Sequence, residues 1–141
     1  MNNNNSSQQE KRAPDVRILI IEDNRDLALL FRNLVQAMGC TAEVAWSGRS
    51  GLELAEKTAP DIIFCDISLP GEKTGFDVAR AIRAHKDLAG TWLVAVTGHE
   101  DPAMHERALN AGFNRVFIKP VKFAQMHEVL TEFRASQGTR P

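Results

Sequence analysis

The stretch from Asp61 to Gly71 constrains the fold most. Four apolar residues, Ile62 to Cys65, are followed there by the carboxylate of Asp66 and then by a Pro-Gly break. A short apolar run bounded by turn residues is typical of a strand buried on both faces of a parallel sheet. Such a strand presents Asp66 at the carboxyl edge of the sheet, where open α/β folds bind ligands. Taken alone, Asp66 is explained more simply as a cap of the following turn.

Length and composition fit one domain of a globular protein. The chain has 141 residues, 43% of them hydrophobic and 25% charged, and domains cluster near about 100–150 residues. The net charge of -1 gives no electrostatic reason to bind nucleic acid or an anionic membrane, so neither is expected as a partner. No apolar stretch approaches the roughly 20 residues that span a bilayer, and the N-terminus does not have the pattern of a signal peptide. We therefore expect a cytoplasmic protein.

The hydrophobic pattern predicts a strand followed by a helix, repeated five times. The predicted strands are Val16 to Ile21, Thr41 to Trp46, the run that ends at Asp66, Thr91 to Thr97, and Phe113 to Ile118. The predicted helices begin near Asn24, Ser47, Phe76, Asp101 and Val121. Short connections favour parallel strands joined by right-handed crossovers. The predicted fold class is therefore α/β, a doubly wound (βα)5 fold with a five-stranded parallel sheet and helices on both faces.

The predicted domain covers residues 15–135. Residues 1–14 are rich in Asn, Gln and Ser, and they contain too little apolar surface to offset the entropy of ordering, so a disordered tail is expected. The last predicted helix ends near Arg134, and residues 136–141 are predicted to be a frayed C-terminal tail. Because no output domain follows that helix, a single-domain protein is expected.

Polar residues stand where the predicted strands end. Glu22 and Asp23 follow the first strand, Asp66 ends the third, Thr97 ends the fourth and Lys119 follows the fifth. Because the carboxyl ends of parallel strands share one edge, these side chains are expected to converge. Three carboxylates tolerate each other best around a divalent cation, and oxygen ligands favour Mg²⁺. With a lysine and a hydroxyl beside it, the set suits an aspartate that accepts a phosphoryl group.

At these positions the sequence resembles the receiver domain of two-component response regulators, over about Val16 to Arg134. The matching motifs are Glu22-Asp23, Asp66-x-x-x-Pro70-Gly71, Thr97-Gly98 and Lys119-Pro120. The resemblance implies the flavodoxin-like receiver fold. It also implies phosphorylation of Asp66, with Mg²⁺ held by Asp23 and Asp66 directly, by Glu22 through water, and by the carbonyl of Ser68.

The same resemblance assigns the remaining residues and the partners. Thr97 would contact the phosphoryl group, Lys119 would pair with it, and Lys119-Pro120 would be a cis peptide bond. The implied phosphoryl donor is a histidine kinase or a histidine phosphotransfer protein, and the implied target is a downstream protein.

Two positions depart from the common pattern of that family. The loop from Gly71 to Gly75 is one residue longer, and Val116 stands where many members have an aromatic residue or histidine. Valine is too short to swing between buried and exposed settings. We therefore expect a muted response to phosphorylation on the face formed by the fourth helix, the fifth strand and the fifth helix, and a relatively larger response at Glu72 to Thr74.

Three functions of different class are compatible with the sequence. The first is a phosphorylated signalling receiver, with no enzymatic activity beyond its own aspartyl phosphorylation and dephosphorylation. The second is a pseudo-receiver that binds partners without phosphorylation, and the third is a metal-dependent phosphoester hydrolase. Asp66, Thr97 and Lys119 are all present, which argues against the second. The third lacks an identifiable substrate pocket or second acid-base residue.

Overall fold

The computed structural model describes residues 16–138, which alternate five strands with five helices. The strands are β1 (Arg17–Ile21), β2 (Thr41–Ala45), β3 (Ile62–Asp66), β4 (Trp92–Thr97) and β5 (Arg115–Ile118). The helices are α1 (Arg25–Ala37), α2 (Gly48–Thr58), α3 (Gly75–Ala84), α4 (Pro102–Ala111) and α5 (Phe123–Gly138). The predicted N-terminal tail and residues 139–141 lie outside the described range.

The five strands form one parallel sheet in the order β2-β1-β3-β4-β5. β3 lies at its centre, where every residue from Ile62 to Asp66 is buried, as the continuous apolar run predicts. The register sets Ile20 of β1 beside Phe64 of β3, and Phe64 beside Val94 of β4. The predicted fold class, a doubly wound five-stranded parallel sheet, is confirmed.

The core has two layers because neighbouring residues along each strand point to opposite faces of the sheet. In β1, Leu19 and Ile21 pack in the layer under α2, α3 and α4, whereas Ile18 and Ile20 pack in the layer under α1 and α5. Cys65 belongs to the first layer and is buried and free, as is Cys40 in the second. The sheet is therefore covered on both faces and exposes its carboxyl edge.

The structure corrects the ends of two elements. β5 begins at Arg115 rather than at Phe113, because the Phe113 amide donates to the Ala108 carbonyl and closes α4 instead. α5 begins at Phe123 and continues to Gly138, past the predicted end near Arg134. Residues 136–138 thus continue the helix, and the frayed tail stays a prediction.

The structure covers a narrower face of α1 than the sequence predicts. Apolar residues at three- and four-residue spacing predict a core-facing stripe made of Leu27, Leu30, Phe31, Leu34, Val35 and Met38. Val35 is buried and Phe31 stacks on Phe64 with ring centroids 4.9 Å apart, but Leu30, predicted to face the core, is 56% exposed. Leu30 therefore lies at the solvent-exposed rim of the apolar stripe of α1.

Candidate functional site

The predicted acidic residues meet at the carboxyl edge of the sheet. Carboxylate oxygens of Glu22, Asp23 and Asp66 lie within 4.8 Å of one another. Asp66 is 4% exposed and Glu22 is 6% exposed, whereas Asp23 is exposed to solvent. Two of the three negative charges are therefore held in a poorly solvated position, where mutual repulsion is costly unless a cation lies nearby.

Lys119 provides such a cation. Its Nζ lies 3.0 Å from Oε1 of Glu22 and 3.0 Å from Oδ2 of Asp66, so one ammonium group bridges both buried carboxylates. Its backbone N–H donates to the carbonyl of Thr97 at 2.7 Å, which ties the end of β5 to the end of β4. The following Lys119–Pro120 bond is cis, as the family resemblance implies.

The charge balance of this cluster is incomplete. Burial raises the pKa of Glu22 above its ordinary value, although hydrogen bonds from the Asn24 amide and from Lys119 act in the opposite direction. Burial also opposes the charge on Lys119, but hydrogen bonds to Asp66 and Glu22 outweigh that cost and raise its pKa. One lysine thus stays protonated between carboxylates whose negative charge it does not fully neutralise. A second cation would relieve the repulsion that is left.

Backbone groups orient the two buried carboxylates. The Ser68 N–H donates to Oδ1 of Asp66 at 2.9 Å, and the Asn24 N–H donates to Oε2 of Glu22 at 3.0 Å. Asn24 also caps α1 as predicted, because its side chain accepts from the Leu27 N–H at 3.1 Å. Each carboxylate therefore has one oxygen held by an amide and the other by Lys119.

Gly75, the first residue of α3, packs against the backbone of Asp66 and Ile67. A Cβ atom built on Gly75 would lie 2.5 Å from the Asp66 carbonyl oxygen and 2.7 Å from Cα of Ile67. Only a glycine permits this approach. The sequence analysis missed this role for Gly75, because its place at the end of the loop that begins at Gly71 gave no signal of a buried contact.

Thr97 occupies the neighbouring strand end. The register pairs Asp66 with Val96, so Thr97 lies one step further along β4, and it is 2% exposed. Its Oγ1 accepts a hydrogen bond from the His99 N–H at 3.2 Å, which leaves the hydroxyl proton available for donation. Thr97 is thus connected on one side to Lys119 through the backbone and on the other to the loop that enters α4.

A small cavity and a larger groove lie next to these residues. A small cavity of about 60 Å³, lined by Glu22, Asp66 and Lys119 and by apolar side chains of α1 and α5, opens beside the carboxylates. A more open groove of about 1010 Å³ runs past Thr97 and Lys119 towards α4, but none of the three carboxylates lines it. The first is far below the roughly 300–1,000 Å³ of ordinary small-molecule pockets.

Glu22, Asp23 and Asp66 offer the donor set that Mg²⁺ prefers, because all of their ligand atoms are carboxylate oxygens and an exposed side remains for water. The Ser68 carbonyl stays a predicted ligand. Within residues 16–138, no helix is long and apolar enough to cross a membrane.

Comparisons with known proteins agree with this geometry. The sequence matches the response regulator receiver domain family over residues 18–131. It is 30% identical over 116 residues to the polar-differentiation response regulator DivK of Brucella ovis, covering 82% of this chain and 94% of DivK. It is also 32% identical over 120 residues to the autoinducer 2 sensor kinase/phosphatase LuxQ of Vibrio vulnificus. That match covers 85% of this chain but spans only 14% of the length of LuxQ.

Solved structures give the same result for the fold. The chemotaxis response regulator CheY4 of Vibrio cholerae superimposes with a TM-score of 0.77 at 23% identity, over 84% of this chain and 98% of CheY4. The receiver domain of the sensor histidine kinase PA1611 of Pseudomonas aeruginosa superimposes with a TM-score of 0.77 at 26% identity, over 84% of this chain and 97% of that domain. That structure has a magnesium ion coordinated in its active site cleft. With a family match over most of its length and a CheY-like arrangement of strands, the chain belongs to the response regulator receiver domain family.

Proposed function

We propose that this domain accepts a phosphoryl group on Asp66 and thereby changes its contacts with a downstream protein. The donor would be a histidine kinase or a histidine phosphotransfer protein, and the transfer would require Mg²⁺. One observation carries the proposal: Lys119 bridges the buried Asp66 and Glu22 at 3.0 Å each, at an edge where three carboxylates lie within 4.8 Å. The match over 94% of DivK supports action as a stand-alone receiver.

The proposed transfer is a displacement at phosphorus. A carboxylate oxygen of Asp66 forms the new P–O bond while the P–N bond to the donor imidazole breaks, and the bonding electrons leave with the imidazole. The Ser68 N–H holds Oδ1 of Asp66 in a fixed direction during the approach of the donor. The domain would catalyse only its own phosphorylation and dephosphorylation.

Charge neutralisation is the main requirement of such a transfer. Glu22, Asp23 and Asp66, with the Ser68 carbonyl, would hold Mg²⁺, which when bound supplies positive charge beside the phosphoryl oxygens. Lys119 already contacts Asp66 at 3.0 Å and would exchange that contact for a phosphoryl oxygen. Thr97 would donate its hydroxyl proton to a second phosphoryl oxygen.

The two alternatives are less well supported. A pseudo-receiver has no need to keep Asp66 and Glu22 buried around one lysine, an arrangement with a large desolvation cost. A hydrolase of exogenous phosphoesters needs room for a substrate beside its carboxylates, and the adjoining cavity measures about 60 Å³. The larger groove is lined by His99 and His105, but Glu22, Asp23 and Asp66 do not line it.

Incubation with a small phosphodonor and Mg²⁺, followed by intact mass measurement, tests the proposal. The native chain should gain one labile phosphate, and Asp66→Asn should gain none. Asp26→Asn removes an exposed carboxylate from the first turn of α1 and should label like the native chain. A phosphate on Asp66→Asn under the same conditions would contradict the assignment of the phosphoacceptor.

The proposed metal site is tested with Asp23→Asn, since Asp23 is the exposed member of the cluster. Mg²⁺ affinity, measured by calorimetry, and the labelling rate should both fall sharply. The metal-free free energy of unfolding should be unchanged or higher, because carboxylate repulsion is relieved. A large loss of metal-free stability would show instead that Asp23 has a structural role.

A further inference from the structure

Arg83, in the last turn of α3, makes a set of hydrogen bonds that the candidate site does not use. Its Nε donates to the Gly112 carbonyl at 2.9 Å, and its Nη1 donates to the carbonyls of Ala89 at 2.7 Å and Thr91 at 2.6 Å. Its Nη2 donates to Oδ1 of Asn114 at 2.9 Å. One guanidinium group therefore joins the end of α3 to the segment before β4 and to the segment after α4.

Asn114 extends this connection into the sheet. Its Oδ1 also accepts from the Leu93 N–H at 2.7 Å, and its own N–H donates to the Leu93 carbonyl at 2.7 Å. Gly112, which ends α4 at a φ of 121°, leaves the space that Arg83 occupies, because a Cβ there would lie 2.6 Å from Cγ of Arg83. The C-terminal end of α4 is thus fastened to α3 and β4.

The N-terminal half of α4 contributes one partly buried side chain, Met104, to the core and no fully buried one. The buried residues of this helix, Ala108 and Ala111, lie in its second half. Residues 98–103 are exposed. The entry loop joins the site through the hydrogen bond from the His99 N–H to Oγ1 of Thr97. Any displacement of Thr97 therefore reaches α4 at its loosely held end.

We propose that Arg83 is a positioning residue that fixes the C-terminal end of α4 as a pivot. Movement of Thr97 on phosphorylation then displaces residues 98–106 and leaves residues 108–114 in place. The pivot rests on the proposed function because it requires a phosphorylated state, whereas the fastening by Arg83 is a property of the unphosphorylated domain. Lysine cannot replace arginine here, since one ammonium group cannot reproduce the planar fork that reaches four acceptors.

Hydrogen exchange of the unphosphorylated domain tests the fastening. In Arg83→Lys, the amides of Leu93, Phe113 and Asn114 should exchange about tenfold faster or more, since charge-assisted hydrogen bonds are lost. The amide of Phe64 in β3 should be unchanged. In the matched variant Arg80→Lys, the replaced arginine bonds Asp77 on the exposed side of α3. The amides of Leu93, Phe113 and Asn114 should exchange there at their native rates. Unchanged exchange at the three amides in Arg83→Lys would overturn the proposal.

A second variant covers the case in which Arg83→Lys does not fold. Asn114→Ala removes the acceptor shared by Arg83 and the Leu93 N–H but leaves the three carbonyl contacts of Arg83. The Leu93 amide should then exchange faster, with a smaller increase at Phe113. Equal exchange in Asn114→Ala and the native chain would overturn the fastening as well.

Amide chemical shifts with and without beryllofluoride and Mg²⁺ test the pivot. In the native chain, the changes should be larger at residues 97–106 than at residues 108–114. In Arg83→Lys the changes should extend through residues 108–114. Equal changes along the whole of α4 in the native chain, or the same pattern in both proteins, would overturn the pivot. No shifts near Asp66 in either protein would overturn the proposed function and the pivot with it, whereas the exchange result would still decide the fastening.

Discussion

Helices α3 and α4 are each ten residues long and each follows a strand end that carries a candidate site residue, but they are held in different ways. α3 buries Phe76, Val78, Ala79 and Ile82 against the sheet, whereas α4 buries only two alanines. Burial of a large apolar side chain contributes roughly 1.5–3 kcal/mol, and an alanine contributes much less. The helix after Asp66 is therefore anchored along its length, whereas the buried residues of the helix after Thr97 lie only in its second half.

The N-terminal ends of the two helices differ in the same way, since that of α3 is more tightly packed than that of α4. α3 begins with a capping box in which Thr74 and Asp77 exchange hydrogen bonds, and Gly75 packs on the Asp66 backbone. α4 begins with Asp101 as a single cap, and a Cβ on Gly98 in the preceding loop would meet nothing within 4 Å. A residue that accepts a phosphoryl group needs a rigid support, whereas a helix that responds to phosphorylation must be able to move. The two helices meet these opposite needs on either side of one site.

The largest difference should appear when each helix loses an apolar side chain. Ile82→Ala should lower the free energy of unfolding by about 3 kcal/mol, because it opens a cavity under α3. Leu109→Ala, at a position that is 43% exposed on α4, should lower it by about 0.5 kcal/mol or less. Urea unfolding of the two variants measures both values. Similar losses would show that α4 is anchored as firmly as α3.

A smaller difference is expected from the two glycines at the helix entrances. Gly75→Ala should cost about 2 kcal/mol and slow phosphorylation, because the added Cβ forces the Asp66 backbone to move. Gly98→Ala places its Cβ in open space and should change stability by less than about 0.5 kcal/mol. Thermal unfolding and the labelling rate test both. If Gly75→Ala has native stability and rate, the close packing behind Asp66 is unimportant.

The smallest expected effect is a change in the free energy of unfolding at acidic pH. Hydrogen bonds from the Thr74 amide, from Arg80 and from the Thr74 hydroxyl hold the pKa of Asp77 below its ordinary value. Because folding favours the ionised form, Asp77 stabilises α3 above the pKa of the unfolded chain. That contribution is lost as pH falls through the lower pKa of the folded state.

Unfolding of the native chain and Asp77→Asn over a range of pH measures this contribution. The native chain should be more stable at neutral pH, and the difference should vanish in strong acid. Glu106→Gln, on the exposed side of α4, should change the unfolding free energy less at neutral pH. A native advantage that grows on acidification would contradict the assigned role of Asp77.

Most of the fold was predictable from local patterns. The apolar run Ile62 to Cys65 identified the central strand, and Asn24, Ser47 and Asp101 marked helix starts that the structure confirms. The prediction was less accurate where burial depends on distant parts of the chain. Leu30 has the spacing of a core residue but lies at the rim of α1, and α5 extends further than its last apolar residues suggest.

The membership of the candidate site was also predictable, because strand ends of a parallel sheet share one edge. Glu22, Asp23 and Asp66 do meet there. The expectation of a larger response at Glu72 to Thr74 than around Val116 stays a prediction, and the shift measurements proposed for α4 also test it.

Local patterns in the sequence predict the order of strands and helices along the chain, the parallel sheet and the residues at its carboxyl edge, because periodicity and turn chemistry act over a few neighbouring residues. Three contacts are visible only once the chain is folded: Lys119 bridges two carboxylates, Gly75 packs on Asp66, and Arg83 fastens α4 at one end. These contacts join residues far apart in the chain. Their distances follow from how the strands and helices cross, and no local pattern of residues specifies that crossing.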